Sequence, residues 1–575
     1  MEKAKRVLFP YGISNFEQVI TGGYEFVDRT PFLELLEESG ETLVVFLRPR
    51  RFGKSLFLSV LEYYYDTEKK EKFDTIFSKY YIGKNPTKLA NSFRILKFDF
   101  SGIDTKTTES TYNSFAVSVK NTVGGFCKRN GNAFNDLLLK IDAINAPEGI
   151  IDTLFEFYPP NEPPIYLFID EYDHFTNEIL LRNLSEFKTS VSQNGYVRKF
   201  YEVIKTATQS GVVNRFFITG VSPVTLDSLT SGFNITTNLT LERDYNELMG
   251  FTENEVNELL IKILANEKSL ENTLENMRTF YNGYRFSPDA EVKVYNPDMV
   301  LYFLKHFAKE NQYPREMLDP NIAPDYGKLK LIFERLNWFD NTFVLNEVLS
   351  KDEISSVLIR QFNFETDDWG SETFVSFLFY MGNLTIKGEN ELGEILFKIP
   401  NKVIEDLYWQ FYASLLKKEK ELTLSKDLVV PSVRAMALGN HEAFFDLIRA
   451  ALKELSNRDF QKFDEKYVKL LVIAYAVQSE IFLVQSERET KDGGYIDLEF
   501  SIQPRNRQKP HFEYVFEFKY LKKEDEKDFD NLQKAAEKQL KHYLASDEIL
   551  KNKPKLRAFT AVVVKDELFL KEINK

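Results

Sequence analysis

The sequence predicts an α/β protein with a parallel sheet in its N-terminal part, a mostly helical middle region and a second α/β unit at its C-terminus. Three observations carry that prediction. Short apolar runs alternate with helical stretches between Thr42 and Thr219. Apolar residues then recur at helical spacing from about Phe251 to Val430. Strand-like alternation returns from Tyr495 onward.

Each element has its own warrant. Thr42–Leu47 (TLVVFL) is short, apolar and β-branched, as a buried strand requires, and Ser55–Tyr65 after it reads as a helix. Phe93–Phe100, Pro164–Ile169 and Arg215–Thr219 are three further strands, and helices between them imply parallel crossovers. Thr252-Glu253-Asn254-Glu255 has the pattern of a capping box and starts the helical middle region. A seam is expected near Ser425–Pro431, with helices from there through Glu480. The expected domains are therefore 1–250, 251–430 and 431–575. No repeat or low-complexity tract is visible.

Bulk properties narrow the class. A chain of 575 residues with 43% hydrophobic, 28% charged and 14% aromatic residues can build large cores. The net charge of −13 argues against coating a polyanion indiscriminately, though a local basic groove remains compatible with it. The single cysteine, Cys127, excludes an intrachain disulfide scaffold and fits a reducing cytoplasm. Met1–Tyr11 has no signal-like apolar run, and the longest apolar stretch, Leu470–Val477, is too short to span a bilayer. A soluble cytoplasmic protein without membrane contact is expected, and a homo-oligomer is compatible with the sequence. The five histidines show no metal-ligand spacing, which disfavours a zinc hydrolase.

Gly53-Lys54-Ser55 lies between a strand and a helix, as the end of a Walker A loop does. There the backbone N–H groups of a helix start attract phosphate oxygens, Lys54 reaches the β- and γ-phosphates, and Ser55 ligates Mg²⁺. The usual first glycine is replaced by Arg48-Pro49, so Arg48, Arg50 and Arg51 are expected to supply charge to the phosphates instead. Ile165–Asp173 (IYLFIDEYD) then supplies a Walker B pattern: Asp170 for Mg²⁺ and Glu171 to orient the attacking water. An apolar strand ending in a solvated acidic turn is the plain alternative, and the upstream Gly-Lys-Ser disfavours it. Thr219, at the end of FFITGV, would set its hydroxyl near the γ-phosphate. ATP and Mg²⁺ are the implied cofactors.

The C-terminal part carries a second constellation. Gly493–Ser501 (GGYIDLEFS) and Tyr514–Leu521 (YVFEFKYL) read as strands of a hairpin through Gln503–His511. Period-two alternation puts Tyr495, Asp497 and Glu499 on one face, and Glu517 and Lys519 on one face of the next strand. Asp497 and Glu517 could then hold Mg²⁺ while Lys519 orients water or stabilises charge. Glu480 or Glu487 could complete the acid set. A solvated cross-strand ion pair is the plain alternative for Glu517 and Lys519.

Further segments carry a resemblance to a family. They include Pro10-Tyr11-Gly12, Phe26–Thr30 (FVDRT), Arg48–Ser55 (RPRRFGKS), IDEYD, Ile218–Pro223 (ITGVSP), Gly250–Val256 (GFTENEV), Tyr281–Phe286 (YNGYRF) and Tyr295–Pro297. The chain resembles bacterial AAA-ATPase-like proteins that carry a C-terminal PD-(D/E)XK nuclease-superfamily domain. The resemblance implies an AAA-like P-loop NTPase sheet, a restriction-endonuclease-like C-terminal domain and nucleic acid, DNA first, as partner. It also implies a role for Gln539 on the helix Asp528–Leu544, which is similar to the helix that follows the family's catalytic strand. Tyr495 stands where the family often has arginine. An ATP-gated nuclease acting in defence against, or processing of, mobile DNA is one expectation. A nucleotide-dependent switch that binds nucleic acid or protein without cleaving is the other.

Overall fold

In the computed structural model of the chain, the apolar runs of the first part become one parallel sheet. The structure describes residues 7–574 apart from 192–193, 229–233, 265, 322–327, 336–340, 363–369, 420–424, 455–463, 491–492, 507–510 and 523–526. Its strands are β1 (Leu43–Leu47), β2 (Arg94–Asp99), β3 (Ile165–Asp170), β4 (Val213–Gly220) and the two-residue β5 (Thr237–Asn238). Their spatial order is β2-β3-β4-β1-β5, and every pairing is parallel. All six residues of β3 are buried, which is why that strand reads as a continuous apolar run rather than an alternation.

Order decides where function can sit. β4 is inserted between β1 and β3, so its C-terminal end lies between the loop after β1 and the carboxylates after β3. Ligands of open α/β sheets bind beyond the carboxyl ends of strands, where connections diverge. The helices that cover the sheet use aromatic rings: Phe100 packs on Phe115 at 5.0 Å and Phe98 on Phe200 at 5.4 Å between ring centroids. These rings bury the faces of the sheet.

The middle region is mostly helical. Thr252 caps the helix Glu253–Ile261 through a capping box with Glu255. The sequence reading missed a three-stranded antiparallel sheet, β6 (Ile354–Ser356), β7 (Thr385–Glu389) and β8 (Ile395–Lys398), in the order β6-β8-β7. These strands are too short to show a period.

The chain divides into two compact units. The first is Met1–Asn311, Glu316–Val344 and Glu353–Lys402; the second is Gln312–Arg315, Leu345–Asp352 and Val403–Lys575. The division falls at Lys402/Val403, whereas the seam expected at Ser425–Pro431 lies at and within a helix, Lys426–Ala437, that contains Pro431.

The second unit holds a sheet of β9 (Phe482–Glu489), β10 (Tyr495–Ile502), β11 (Glu513–Leu521), β12 (Leu556–Val564) and β13 (Glu567–Ile573), ordered β13-β12-β11-β10-β9. β9 falls where the sequence reading has no strand. The β10–β11 pairing is antiparallel, as expected, and 507–510 of the expected connection lie outside the described residues. β11 and β12 are parallel, so the chain crosses between them through the helix Phe529–Ser546. Among the described residues no helix is long and apolar enough to cross a membrane.

Candidate functional site

At the mouth of the parallel sheet, the loop after β1 turns sharply into the helix Lys54–Tyr65. Arg51 (φ 69°) and Gly53 (φ 89°) are both left-handed. Such turns build concave arrays of backbone N–H groups that accept anions. Lys54 is 4% exposed, and its ammonium donates to the carbonyls of Arg48 and Pro49, each at 3.1 Å. Glu171 lies 3.6 Å from it.

Asp170 ends β3 and is 3% exposed. The Thr219 hydroxyl donates to its Oδ1 at 2.7 Å, so Thr219 meets the carboxylate directly. Burial pushes Asp170 above the ordinary carboxylate range, and hydrogen bonds from Ser55 and Thr219 oppose that. The next residue, Glu171, holds left-handed backbone (φ 51°), a costly conformation for a non-glycine residue that aims its side chain away from the strand. Burial alone would raise its pKa; Lys54, Arg50 and His174 outweigh it and hold Glu171 low.

Two contributions escaped the sequence reading. His174 Nδ1 lies 2.7 Å from Arg50 Nη2 and 4.0 Å from Glu171. Asp173 is fully buried; it accepts from the backbone N–H of Val221 and Ser222 and from the Asn177 amide. It thereby staples the end of β3 to the end of β4. Gly220 is obligatory there, because a Cβ would stand 2.4 Å from both the Tyr172 ring and the Asp173 carboxylate.

One expectation about charge is corrected. Arg48 points into the core, 1% exposed, with its guanidinium 4.2 Å from the Phe46 ring centroid and 4.1 Å from that of Phe286. It donates to the carbonyls of Leu47, Thr240 and Tyr245, and burial lowers its pKa well below the usual arginine value. It ties β1 to the segment after β5 and does not face the cavity. Arg50 and Arg51 do, with Arg51 4.0 Å from Asp298.

The cavity has a volume of about 480 Å³. Lys54, Ser55, Asp170 and Glu171 line one part. Ile13, Phe26, Val27, Met249, Leu259 and Leu301 give it an apolar part. The segments around Pro10, FVDRT, GFTENEV and Pro297 thus meet around one space. Arg29 fastens two of them by donating to the Gly250 carbonyl and pairing with Glu255 at 2.5 Å.

The second constellation also assembles, with a different face pattern. Ile496 packs with Val515 and Leu540, whereas Phe500 packs on Phe516 and Phe444, across the sheet. Alternation therefore breaks between them, and Asp497 and Glu499 do not share a face as expected. Glu499 pairs with Arg488 and Lys553 instead. The β10–β11 ladder stops at Leu498↔Phe516, and beyond it Asp497 Oδ2 accepts from the Phe518 N–H at 2.7 Å. The side chain substitutes for the missing ladder bond, which fixes the carboxylate beside β11.

Glu517 and Lys519 stand next to it. The Lys519 ammonium is 2.8 Å from Glu517 Oε1 and 3.7 Å from Asp497 Oδ2. Glu517 is fully buried, and its Oε2 has no hydrogen-bond partner among the described residues. Burial first, then the charge of Asp497, pushes Glu517 up to about 7. Burial would lower the Lys519 pKa; Glu517 and Asp497 raise it further than burial lowers it. Tyr495 is 49% exposed. Gln539 donates to the Tyr543 hydroxyl at 2.9 Å and makes no hydrogen bond with Asp497, Glu517 or Lys519.

A further acid, Glu465, which the sequence reading missed, stands at the start of the helix Glu465–Ala476. It lies 4.0 Å from Lys519, and burial, with Asp497 adding to it, raises its pKa. Glu480 pairs with Arg505 away from the site, and Glu487 pairs with Lys469. The orphaned oxygen of Glu517 beside Asp497 fits a divalent cation. Among the described residues no group of three or more His, Cys, Asp or Glu side chains is arranged as a ready metal cage. The protein thus offers two carboxylates and a lysine.

Comparison with known proteins matches both parts of the chain. Residues 10–230 match the AAA-ATPase-like family, described as predicted AAA-ATPase, and residues 463–573 match a family of the PD-(D/E)XK nuclease superfamily. An uncharacterised protein from the vnfD 5′ region of Azotobacter chroococcum mcd 1 is 27% identical over 397 residues, covering 68% of this chain and 66% of that protein. The chain thus spans about two thirds of that relative's length. A Walker-type ATPase of Pyrococcus abyssi aligns with a TM-score of 0.38 at 12% identity, over 71% of this chain and 99% of its own.

Proposed function

From a chain that joins an AAA-ATPase-like domain to a PD-(D/E)XK nuclease-superfamily domain, we infer an ATP-hydrolysing protein coupled to a metal-dependent nuclease that acts on nucleic acid, DNA first. Defence against, or processing of, mobile DNA suits that pairing. The observation that carries the reading is convergence: Lys54, Ser55, Asp170 and Glu171 come from two strand ends to one cavity with a polar and an apolar part, and Thr219, from a third, holds Asp170 from behind.

The chain's own groups suffice for most of the nucleotide chemistry. The apolar part of the cavity takes the base. Lys54, Arg50, Arg51 and the loop N–H groups receive the phosphates, and Lys54 then exchanges two carbonyl contacts for phosphate oxygens. Ser55 and Asp170 would hold Mg²⁺, which when bound neutralises charge on the transferring phosphoryl group. Glu171, kept ionised, accepts a hydrogen bond from the attacking water and orients it. At the C-terminal site Asp497 and Glu517 would hold a divalent ion, whose chemistry there is to polarise a phosphodiester. Lys519 donates to charge developing on the phosphate.

Incubating the purified chain with DNA and with RNA, with and without ATP and Mg²⁺ or Mn²⁺, tests the coupling. Metal-dependent cleavage that responds to ATP is expected. Absence of cleavage in every combination would leave the non-cleaving switch, a reading favoured by one observation: a second lysine, Lys469, 3.4 Å from Asp497.

A further inference from the structure

The carboxylates of the C-terminal site already hold a cation of the protein's own. Lys469 belongs to the helix Glu465–Ala476 and is 7% exposed. Its ammonium pairs with Glu487, stands 3.4 Å from Asp497 Oδ1 and lies 3.8 Å from Glu465. Three acids from a helix, from β9 and from β10 thus surround one nitrogen. Glu465 and Lys469 share a helix face by their four-residue spacing. Glu487 sits in left-handed backbone (φ 52°), a strained state for a non-glycine residue and one that clusters at functional positions.

The arrangement does more than balance charge. Lys519 already serves Glu517, so Lys469 is a second ammonium on Asp497. A divalent ion bound by Asp497 would lie within a few ångströms of it, and like charges at that separation repel strongly in a buried site. Glu487 provides a way out. β9 is an edge strand, and the Glu487 side chain is 43% exposed. Lysine has a flexible four-carbon stem, so Lys469 can release Asp497 while keeping Glu487.

Resting on the reading of Asp497 and Glu517 as metal ligands, we propose that Lys469 is a built-in competitor for the divalent ion: it occupies Asp497 when metal is absent and withdraws toward Glu487 when metal enters. The site is thereby kept weak for metal and quiet when metal is scarce. A purely structural lysine that clamps the helix to the sheet would leave metal affinity unchanged.

The test is a Mn²⁺ titration of the full chain without nucleotide, followed by the electron paramagnetic resonance signal of free Mn²⁺. Asp497→Asn identifies the C-terminal site as the binding it removes. Lys469→Gln removes the charge and leaves a shorter side chain that can still donate a hydrogen bond, and it should tighten Asp497-dependent binding by at least about tenfold. Lys469→Arg should stay near the parent. Glu487→Gln removes the outer anchor, holds Lys469 on Asp497 and should weaken binding, which keeps the proposal testable if Lys469→Gln does not fold. Unchanged or weaker binding in Lys469→Gln, or unchanged binding in Glu487→Gln, would overturn the competitor role. If neither the parent nor any variant shows Asp497-dependent binding, the metal-ligand reading itself fails.

Discussion

The two sites handle charge in opposite ways. In the N-terminal site two of the three acids have their own donors: Asp170 has Ser55 and Thr219, and Asp173 has two backbone N–H groups. Lys54 there rests on two carbonyls and near Glu171, beside an open cavity. In the C-terminal site Glu465, Glu487, Asp497 and Glu517 share Lys469 and Lys519, and one oxygen of Glu517 has no partner among the described residues. The first arrangement is short of an anion and the second is short of a cation. A site's missing ligand can thus be read from which sign of charge is left undersatisfied.

That contrast can be broken by mutation. The largest effect is expected at the undersatisfied acids. Asp497→Ala and Glu517→Ala should each abolish metal-dependent cleavage while ATP hydrolysis continues, since each removes one of two carboxylate ligands; gel assays of DNA cleavage beside a phosphate-release assay would show it. Retained cleavage in either variant would move the metal elsewhere. Lys519→Ala should cost cleavage about 3 kcal/mol of transition-state stabilisation, on the order of a hundredfold in rate. An exposed ion pair without catalytic function would change the rate little and stability by about 0–1 kcal/mol.

Glu171→Gln should slow ATP hydrolysis by about a hundredfold or more with ATP affinity nearly unchanged, because it removes an oriented base and no phosphate contact. Equal hydrolysis rates in parent and variant would assign that task to another residue. Arg48→Ala sharpens the same contrast from the other side. It should lower unfolding stability by about 3 kcal/mol, since it opens a cavity and strands three carbonyls, yet leave ATP affinity in the folded protein close to the parent's. Chemical denaturation and nucleotide titration separate the two effects; a large loss of affinity without loss of stability would restore Arg48 to the phosphate site. The smallest effect is expected for Tyr495→Arg, which alters a half-exposed side chain and should shift stability by less than about 0.5 kcal/mol in the same denaturation experiment.

How much was legible in the sequence depended on how local the signal is. The strands ending at Leu47, Asp170 and Gly220 announce themselves because burial on both faces demands an unbroken apolar run. Gly53-Lys54-Ser55 and Asp170-Glu171 are legible because each is contiguous. β9 was not, because its second half, Ser486–Glu489, is polar on both faces at a sheet edge. Arg48 was misread because one residue type serves a phosphate or a packed aromatic sandwich equally well, and only the fold places Phe286 beside it. The separation of Asp497 from Glu499 needed the ladder to stop at Leu498↔Phe516, which no period-two pattern encodes. Glu465 was hidden because it approaches Lys519 from a helix far from it in sequence.

In the proposed function the cavity beyond β1, β3 and β4 takes a nucleotide, and Lys54 supplies the principal side-chain charge. Titrating ATP calorimetrically into the parent and into Lys54→Ala in the presence of Mg²⁺ tests it most directly. One site per chain is expected in the parent, with an affinity reduced by about a hundredfold or more in the variant, as loss of a buried charge-assisted contact to phosphate implies. Equal ATP affinity in parent and variant would contradict it.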